Sequence, residues 1–455
     1  MSTVLAFASA LFWGALAVSA LVFAHEAGHV LAARACGVRV TELFCGLPCP
    51  LQLYRISKRT GTRYGITPLL LGGYSKICGS GAKPGPHAAA VLAVVHRQGS
   101  ASVRELAEAL RISEEDALET GLCLVDWGSL TAVYDEPARK RRAFEPPCAF
   151  AAPPRDAEGN TVYDGARFDR AGATEPGAPW RPPADGRVFL ARERQRTYLG
   201  LGLAGRVLVL TAGIVVNLAL GLVLLTGVYA IAGVPSSSNV IGSVQEDGAA
   251  AEAGLTAGDA ITAIDGTATP TWNSISTALK ELGEPDPSVT VQVTYERDGA
   301  TATVSVELDA DDYELGQLYL GIRAIYEHPG LLGALGAALS ALGQTAVGLV
   351  RLFLPGQAGQ ALSEASSIVD VFARAAQAAG RGAASYAELV AVLSFSLGLV
   401  NLLPVAPLDG GKLLIELVQA ARGRELSERA QTAITLAGLG LVAVLFLCTL
   451  AGDLL

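Results

Sequence analysis

The sequence predicts a multi-pass α-helical membrane protein, with four transmembrane helices and two soluble domains inserted between them. Three observations carry this. Of 455 residues, 51% are apolar and 17% charged, whereas soluble domains carry about a quarter charged residues. Mean hydropathy is +0.39. Four apolar runs, at 1–35, 205–234, 388–411 and 430–451, are long enough to cross a hydrocarbon core of about 30 Å. The intervening stretches carry the alternation, caps and turns of soluble domains instead.

The first run contains no charge through residue 24. A cleaved leader ending at Val22-Phe23-Ala24 is the plain alternative, but there is no basic start and the apolar pattern continues through Ala35. Residues 36–77 read as short strands and turns, with Val38-Arg39-Val40, Leu51-Gln52-Leu53-Tyr54 and Tyr64-Gly65-Ile66 as the strand segments. Residues 78–135 read as helix, turn, helix and hairpin, the pattern of a small winged-helix domain. Residues 136–200 are rich in Pro, Gly and Arg and read as a linker.

The run at 205–234 has Asn217 as its one strongly polar side chain. Residues 239–326 form the second soluble domain. A strand and a short helix at Ala249–Gly254 lead to a second helix, Trp272–Leu282, and then a hairpin turning at Asp298-Gly299. Residues 331–354 are apolar but dominated by Gly and Ala, and 331–385 is expected to be an amphipathic or re-entrant segment plus linker that does not cross.

Charge sets the orientation. Residues 34–206 hold 24 of the 34 Lys and Arg, and residues 207–386 hold 6. Basic residues favour the cytoplasmic side, so the first stretch is expected inside and 239–326 outside the cell. Six of seven cysteines lie at or before Cys148 and none falls between Ala149 and Leu447, which fits a chain without structural disulfides. The net charge of −9 argues against a general nucleic-acid binder. So do Glu114, Glu115, Asp116 and Glu119 at the start of the second helix of the 78–135 insert, because they repel phosphate. A cytoplasmic protein partner suits that helix better.

His25-Glu26-Ala27-Gly28-His29 is the sharpest chemical signal. Histidines four apart lie on one face of a helix, about 6 Å along its axis, and can share a zinc ion. Glu26 between them is placed as a general base, and zinc brings the pKa of a water it binds to about 7. The five-residue pattern also occurs on ordinary surface helices, but here it interrupts an apolar run, where ionisable groups mark function. A third protein ligand is needed. Asp409 is the best candidate: it ends an apolar run broken by Pro404, Pro407, Gly410 and Gly411. Taken alone, it also reads as a helix-terminating turn. Parity supports the first reading. If the runs at 1–35, 205–234 and 388–411 cross in turn and 331–354 does not, then His25, His29 and Asp409 share one depth near the cytoplasmic face.

Together these residues resemble the site-2 protease family of intramembrane metalloproteases, in its bacterial PDZ-containing branch. The matching motifs are His25–His29 in the first run and Asn401–Gly411 (NLLPVAPLDGG) in the third. Gly46–Pro50 and Leu69–Ile77 resemble the family's membrane-associated β-hairpin region, and Gly205–Leu224 its second span. The resemblance implies one zinc ion held by His25, His29 and Asp409, with Glu26 activating water. It implies substrate contacts at Asn401, Pro404, Gly72 and Gly73, with Pro407 also shaping the site, and a PDZ domain at 239–326. Family members cut the membrane helix of single-span substrates pre-trimmed by another protease, and often release a transcription regulator or act on an anti-sigma factor. A non-catalytic scaffold that binds partners through its soluble modules is the alternative, which the presence of all four motif residues disfavours.

Overall fold

The computed structural model describes residues 3–452, except 82, 136–144, 183–184, 284–286, 310–311, 315–316, 355, 358 and 360–366. Helix α1 (Thr3–Ala35) leads into strands β1 (Val40–Cys45), β2 (Leu53–Ile56), β3 (Arg63–Ile66) and β4 (Gly73–Ile77). The insert follows, as α2 (Ala88–Gln98), β5 (Ser100–Ser102), α3 (Val103–Leu110), α4 (Glu114–Asp126), β6 (Thr131–Val133), β7 (Ala149–Ala151) and α5 (Gly186–Arg194). Helix α6 (Leu203–Ala232) precedes β8 (Val234–Pro235), β9 (Ile241–Val244), α7 (Ala249–Glu252), β10 (Ala260–Ile264), β11 (Thr267–Ala268) and α8 (Trp272–Glu281). Strands β12 (Ser288–Arg297), β13 (Ala300–Asp309), β14 (Tyr313–Glu314), β15 (Gln317–Leu318), β16 (Ile322–Ala324) and β17 (Tyr326–Glu327) complete that domain. The chain ends in α9 (Gly330–Arg351), α10 (Ile368–Arg381), α11 (Ala383–Leu402), α12 (Asp409–Arg422) and α13 (Glu428–Gly452).

The chain divides into two units. One comprises residues 11–220 and 393–455. Its helices α1, α6 and α11 pack side by side through small residues. A Cβ on Gly28 would come within 2.7 Å of the Ala212 carbonyl oxygen, and one on Gly398 within 2.9 Å of Leu218. His25, Gly28 and His29 of α1 meet Asn217, Ala212 and Val209 of α6 in that order, and on α11 Ser394 meets the Asn217 carbonyl and Gly398 the Ile214 carbonyl, so α6 runs antiparallel to both. Leu11, Phe12 and Leu31 of α1 stay exposed, as helix faces meant for lipid do.

The segment expected as a hairpin region is a four-stranded sheet in the order β2-β3-β1-β4, with β1 and β3 parallel. The Val38-Arg39-Val40 strand begins later than expected, at Val40. Arg39 precedes it as a fully buried cation.

In the insert the order is helix, strand, two helices and two strands, with a three-stranded antiparallel sheet ordered β5-β7-β6. Ser102 and Glu105 form a capping box at α3, and Ser113 caps α4 through the Asp116 amide. The core gathers Leu92, Leu106, Leu124, Trp127, Phe150 and Phe189. Two of its members correct the linker reading of 136–200: Phe150 lies on β7, the central strand, and Phe189 on α5. Residues 136–144 of that range lie outside the described residues. Composition misled because this segment is held by charge as well as by apolar burial. Glu193 receives hydrogen bonds from Arg39, Arg155 and Ser129, while Asp164 pairs with Arg39 and Arg196.

The other unit comprises residues 1–10 and 221–392. Its soluble part buries Ile241, Leu255, Ile261, Ile275, Leu279, Val291, Val293, Val306 and Leu308. Strands β12 and β13 pair along their full length, and the turn residues Asp298 and Gly299 both take positive φ, as a two-residue hairpin favours. Among the described residues five helices are long and apolar enough to cross a membrane: Val4–Ala35, Leu203–Ala232, Gly330–Arg351, Ala383–Leu402 and Arg429–Cys448. The segment expected not to cross therefore forms a helix with the length of a span.

Candidate metal centre

The α1 helix carries His25 and His29 one turn apart, both buried. Asp409 arrives from the other end of the chain. Helix α11 stops at Leu402, and a turn that includes a cis Ala406–Pro407 peptide leads to Asp409, which opens α12. A carboxylate at a helix N-terminus is favoured by the helix dipole. The two glycines after it have no room for side chains. A Cβ on Gly410 would lie 2.3 Å from the Leu402 carbonyl oxygen, and one on Gly411 2.1 Å from the Ala406 nitrogen.

These elements bring three donor atoms together. Asp409 Oδ2 is 2.9 Å from Nε2 of both His25 and His29, and the two Nε2 atoms are 3.1 Å apart. His29 Nδ1 lies 2.7 Å from the Val209 carbonyl oxygen. Because a carbonyl only accepts, Nδ1 carries the proton and Nε2 of the neutral ring is bare. His25 Nδ1 faces the Asn217 side-chain amide at 3.3 Å. Among the described residues the amide oxygen of Asn217 is buried without a hydrogen-bond partner. Turning the amide over puts that oxygen on His25 Nδ1, where it accepts the ring proton and leaves the second Nε2 bare. Two bare nitrogens and a carboxylate oxygen with no proton between them repel one another, and a cation at their centre reverses the sign. The donor set of two imidazoles and one carboxylate suits zinc, with a position left open for water.

Gly213 keeps α6 out of this space, since a Cβ there would come 2.5 Å from His29 Nε2 and 2.7 Å from His25 Cε1. Glu26 is half-buried on the neighbouring face of α1, and its Oε2 accepts a hydrogen bond from Ser75 Oγ of β4 at 2.5 Å. Lys412, one turn into α12, donates to Asp409 Oδ1 at 3.2 Å.

The other residues that the sequence singles out stand at the end of α11 and the start of β4. Asn401 sits in the last turn of α11 with its amide donating to the Leu397 carbonyl. Pro404 is exposed in the turn. Gly72 is buried, its carbonyl accepting from the Gly46 amide, and Gly73 lets β4 pass close to Phe23 of α1. Sequence reasoning missed Ser75, Gly213 and Lys412. A signal existed for two of them: Gly213 lies one helical turn before Asn217, and Ser75 is polar on a strand whose neighbours alternate.

Residues 13–445 match the model of peptidase family M50. The zinc metalloprotease RasP of Shouchella clausii is 28% identical over 470 residues, covering 100% of this chain and 99% of that protein. A zinc-metalloprotease homologue of Lactococcus lactis, LL2128, is 29% identical over 192 residues, 42% of this chain and 43% of that protein. The match therefore spans less than half the length of the lactococcal relative. A solved structure, the PDZ domain of the SdrC-like protein (Lmo2051) from Listeria monocytogenes, is 26% identical, covers 20% of this chain and 92% of its own, and gives a TM-score of 0.17. With the family match running from the first helix to the last, this chain belongs to peptidase family M50, the site-2 protease family.

Proposed function

We propose that the chain is an intramembrane zinc endopeptidase that hydrolyses peptide bonds in the membrane helices of single-span proteins. The observation that carries it is the convergence of His25, His29 and Asp409 donor atoms between helices apolar enough for a bilayer. Zinc held there, one ion per chain, supplies Lewis-acid activation of a water and of the scissile carbonyl. Glu26 takes the proton of the attacking water on its free carboxylate oxygen and passes it to the leaving amine. We read Asn401, Pro404, Gly72 and Gly73 as contacts to the substrate backbone, because their motifs resemble those of the family. A hydrogen-bonded helix hides its carbonyls, so the substrate must unwind locally at the cut.

The test replaces Glu26 with Gln. E26Q should lose cleavage of a model single-span substrate by on the order of 100-fold or more while keeping its zinc. No cleavage by the wild type with zinc bound would leave the scaffold reading standing, whereas an unchanged rate in E26Q would remove the base assignment. His25→Ala and Asp409→Ala should each lose the metal.

Antiparallel packing of α6 against α11 supports four crossings. The end of α6 and the start of α11 then lie on one side, so the chain between them crosses an even number of times. Helix α10, with 14 residues, is about 21 Å long and too short to supply a second crossing. On this reading α9 lies in or re-enters the interface. Clustered Lys and Arg after α1 support placing the metal site near the cytoplasmic face and 239–326 outside. We read 239–326 as a PDZ-type domain that meets substrates on that side. The insert, with its β5-β7-β6 sheet, we read as a winged-helix-like module for a cytoplasmic protein partner rather than nucleic acid. Its acidic α4 start supports this. Substrates pre-trimmed by another protease, anti-sigma factors among them, fit the enclosed site.

A further inference from the structure

Strand β4 carries a polar side chain where its packing favours an apolar one. Strand residues alternate between faces, so Gly73, Ser75 and Ile77 share the face turned toward α1. Ile77 is buried in a cluster with Val30 and Ala33. At Gly73 the strand passes so close that a Cβ would sit 3.4 Å from the Phe23 backbone. Two strand residues advance about 6.7 Å and four helical residues about 6 Å. Positions 73, 75 and 77 therefore run in step with 23, 26 and 30 of α1. The outer two rungs are packing contacts; the middle one is the hydrogen bond from Ser75 Oγ to Glu26 Oε2. On its other side β4 is locked by β1, with Leu43 opposite Ser75 and Cys45 opposite Gly73.

We propose that Ser75 is a positioning residue for the general base. A glutamate side chain has three rotatable bonds, and its carboxylate must be fixed to take a proton efficiently. The Ser75 hydroxyl donates to one carboxylate oxygen and leaves the other presented for the water's proton. The serine keeps its own proton throughout. The sheet is thereby more than a wall of the site, because its register with α1 sets the aim of Glu26. This rests on Glu26 being the base.

The experiment uses the full-length protein in lipid nanodiscs with a single-span model substrate. Ser75→Val keeps a strand-favouring side chain and removes the donor, whereas Ser75→Thr keeps the donor. S75V should lower kcat on the order of tenfold with KM changed less than about twofold and zinc content unchanged, as for other outer partners of catalytic groups. S75T should recover most of the rate. In an E26Q background S75V should have no further effect. A wild-type kcat in S75V, beside an inactive E26Q, would overturn the role of Ser75 alone. Equal losses in S75V and S75T with a raised KM would make Ser75 a packing residue and overturn it too. A wild-type rate from E26Q would remove the base assignment and this proposal with it.

Discussion

Gly213 and Asn217 stand one turn apart on α6 and do different work at the same histidines. Gly213 contributes by having no side chain. Because a Cβ would lie 2.5 Å from His29 Nε2, Gly213→Ala should displace the ligand and weaken zinc binding by about 10- to 100-fold or more, measurable as metal per protein after dialysis against a chelator. Asn217 contributes a dipole that selects one His25 tautomer. Asn217→Leu should weaken zinc retention by a similar factor, about 10- to 100-fold, with the helices still assembled. Undiminished zinc in N217L would mean that His25 finds its tautomer unaided. The histidines and Asp409 were legible in the sequence because ionisable residues stand out against an apolar run. Gly213 was not, because its role is an empty volume defined by a helix about 180 residues away in the chain.

At the level of elements, the insert shows a different balance. Burial alone would raise the Glu193 carboxyl, but the charges of Arg155 and Arg39 outweigh it and hold it well below the usual carboxylate range. Removing it takes the carboxylate from the buried Arg155 guanidinium and leaves Arg39 with Asp164 alone, so Glu193→Ala should destabilise the insert by about 3–5 kcal/mol, seen as rapid proteolysis between α2 and α5. His96 adds a pH dependence. Its Nδ1 proton goes to the Leu92 carbonyl and its Nε2 accepts from Arg155 Nε at 3.2 Å. Burial, reinforced by Arg155, pushes its pKa down to about 3 from 6.5. The folded insert thus stays unprotonated where the unfolded chain binds a proton. Stability is fully present above about pH 6.5 and falls toward pH 3 at about 1.4 kcal/mol per pH unit. Amide exchange along α2, corrected for intrinsic rates, should show opening easier by about 2 kcal/mol at pH 5 than at pH 6.5. Flat protection across that range would contradict a neutral buried His96. The helices of the insert were readable from their pattern, as the hairpin of the 239–326 domain was from Asp298-Gly299. The tail of the insert was not, because Arg155, Asp164 and Glu193 look solvent-bound in sequence and find their partners only at long range.

For the whole molecule, crossing number is the structural variable that sequence approached by parity. Hydropathy alone makes α9 a span; the antiparallel run of α6 and α11 argues that it is not. Single cysteines at Thr301 and Gln357, in a background without native cysteines, should react alike with a membrane-impermeant maleimide on intact cells. Labelling of one and protection of the other would place a crossing in α9 and undo the four-span topology. The same topology assigns the metal-ligand motifs, first and last in the sequence, to one depth. That is why an assembly between residues 25 and 409 could be anticipated at all.

The grip of the insert on Arg39 has a consequence for descent. Arg39 follows α1 directly and is fully buried, yet its partners Asp164 and Glu193 both come from the insert. A homologue that lacks this domain cannot keep an arginine there without stranding a charge. Position 39 and the presence of the insert should therefore covary across relatives, with an uncharged residue wherever the insert is missing. An engineered deletion that removes both Asp164 and Glu193 would need the same exchange to fold. Gaining or losing both acids is then expected to require a substitution just after α1.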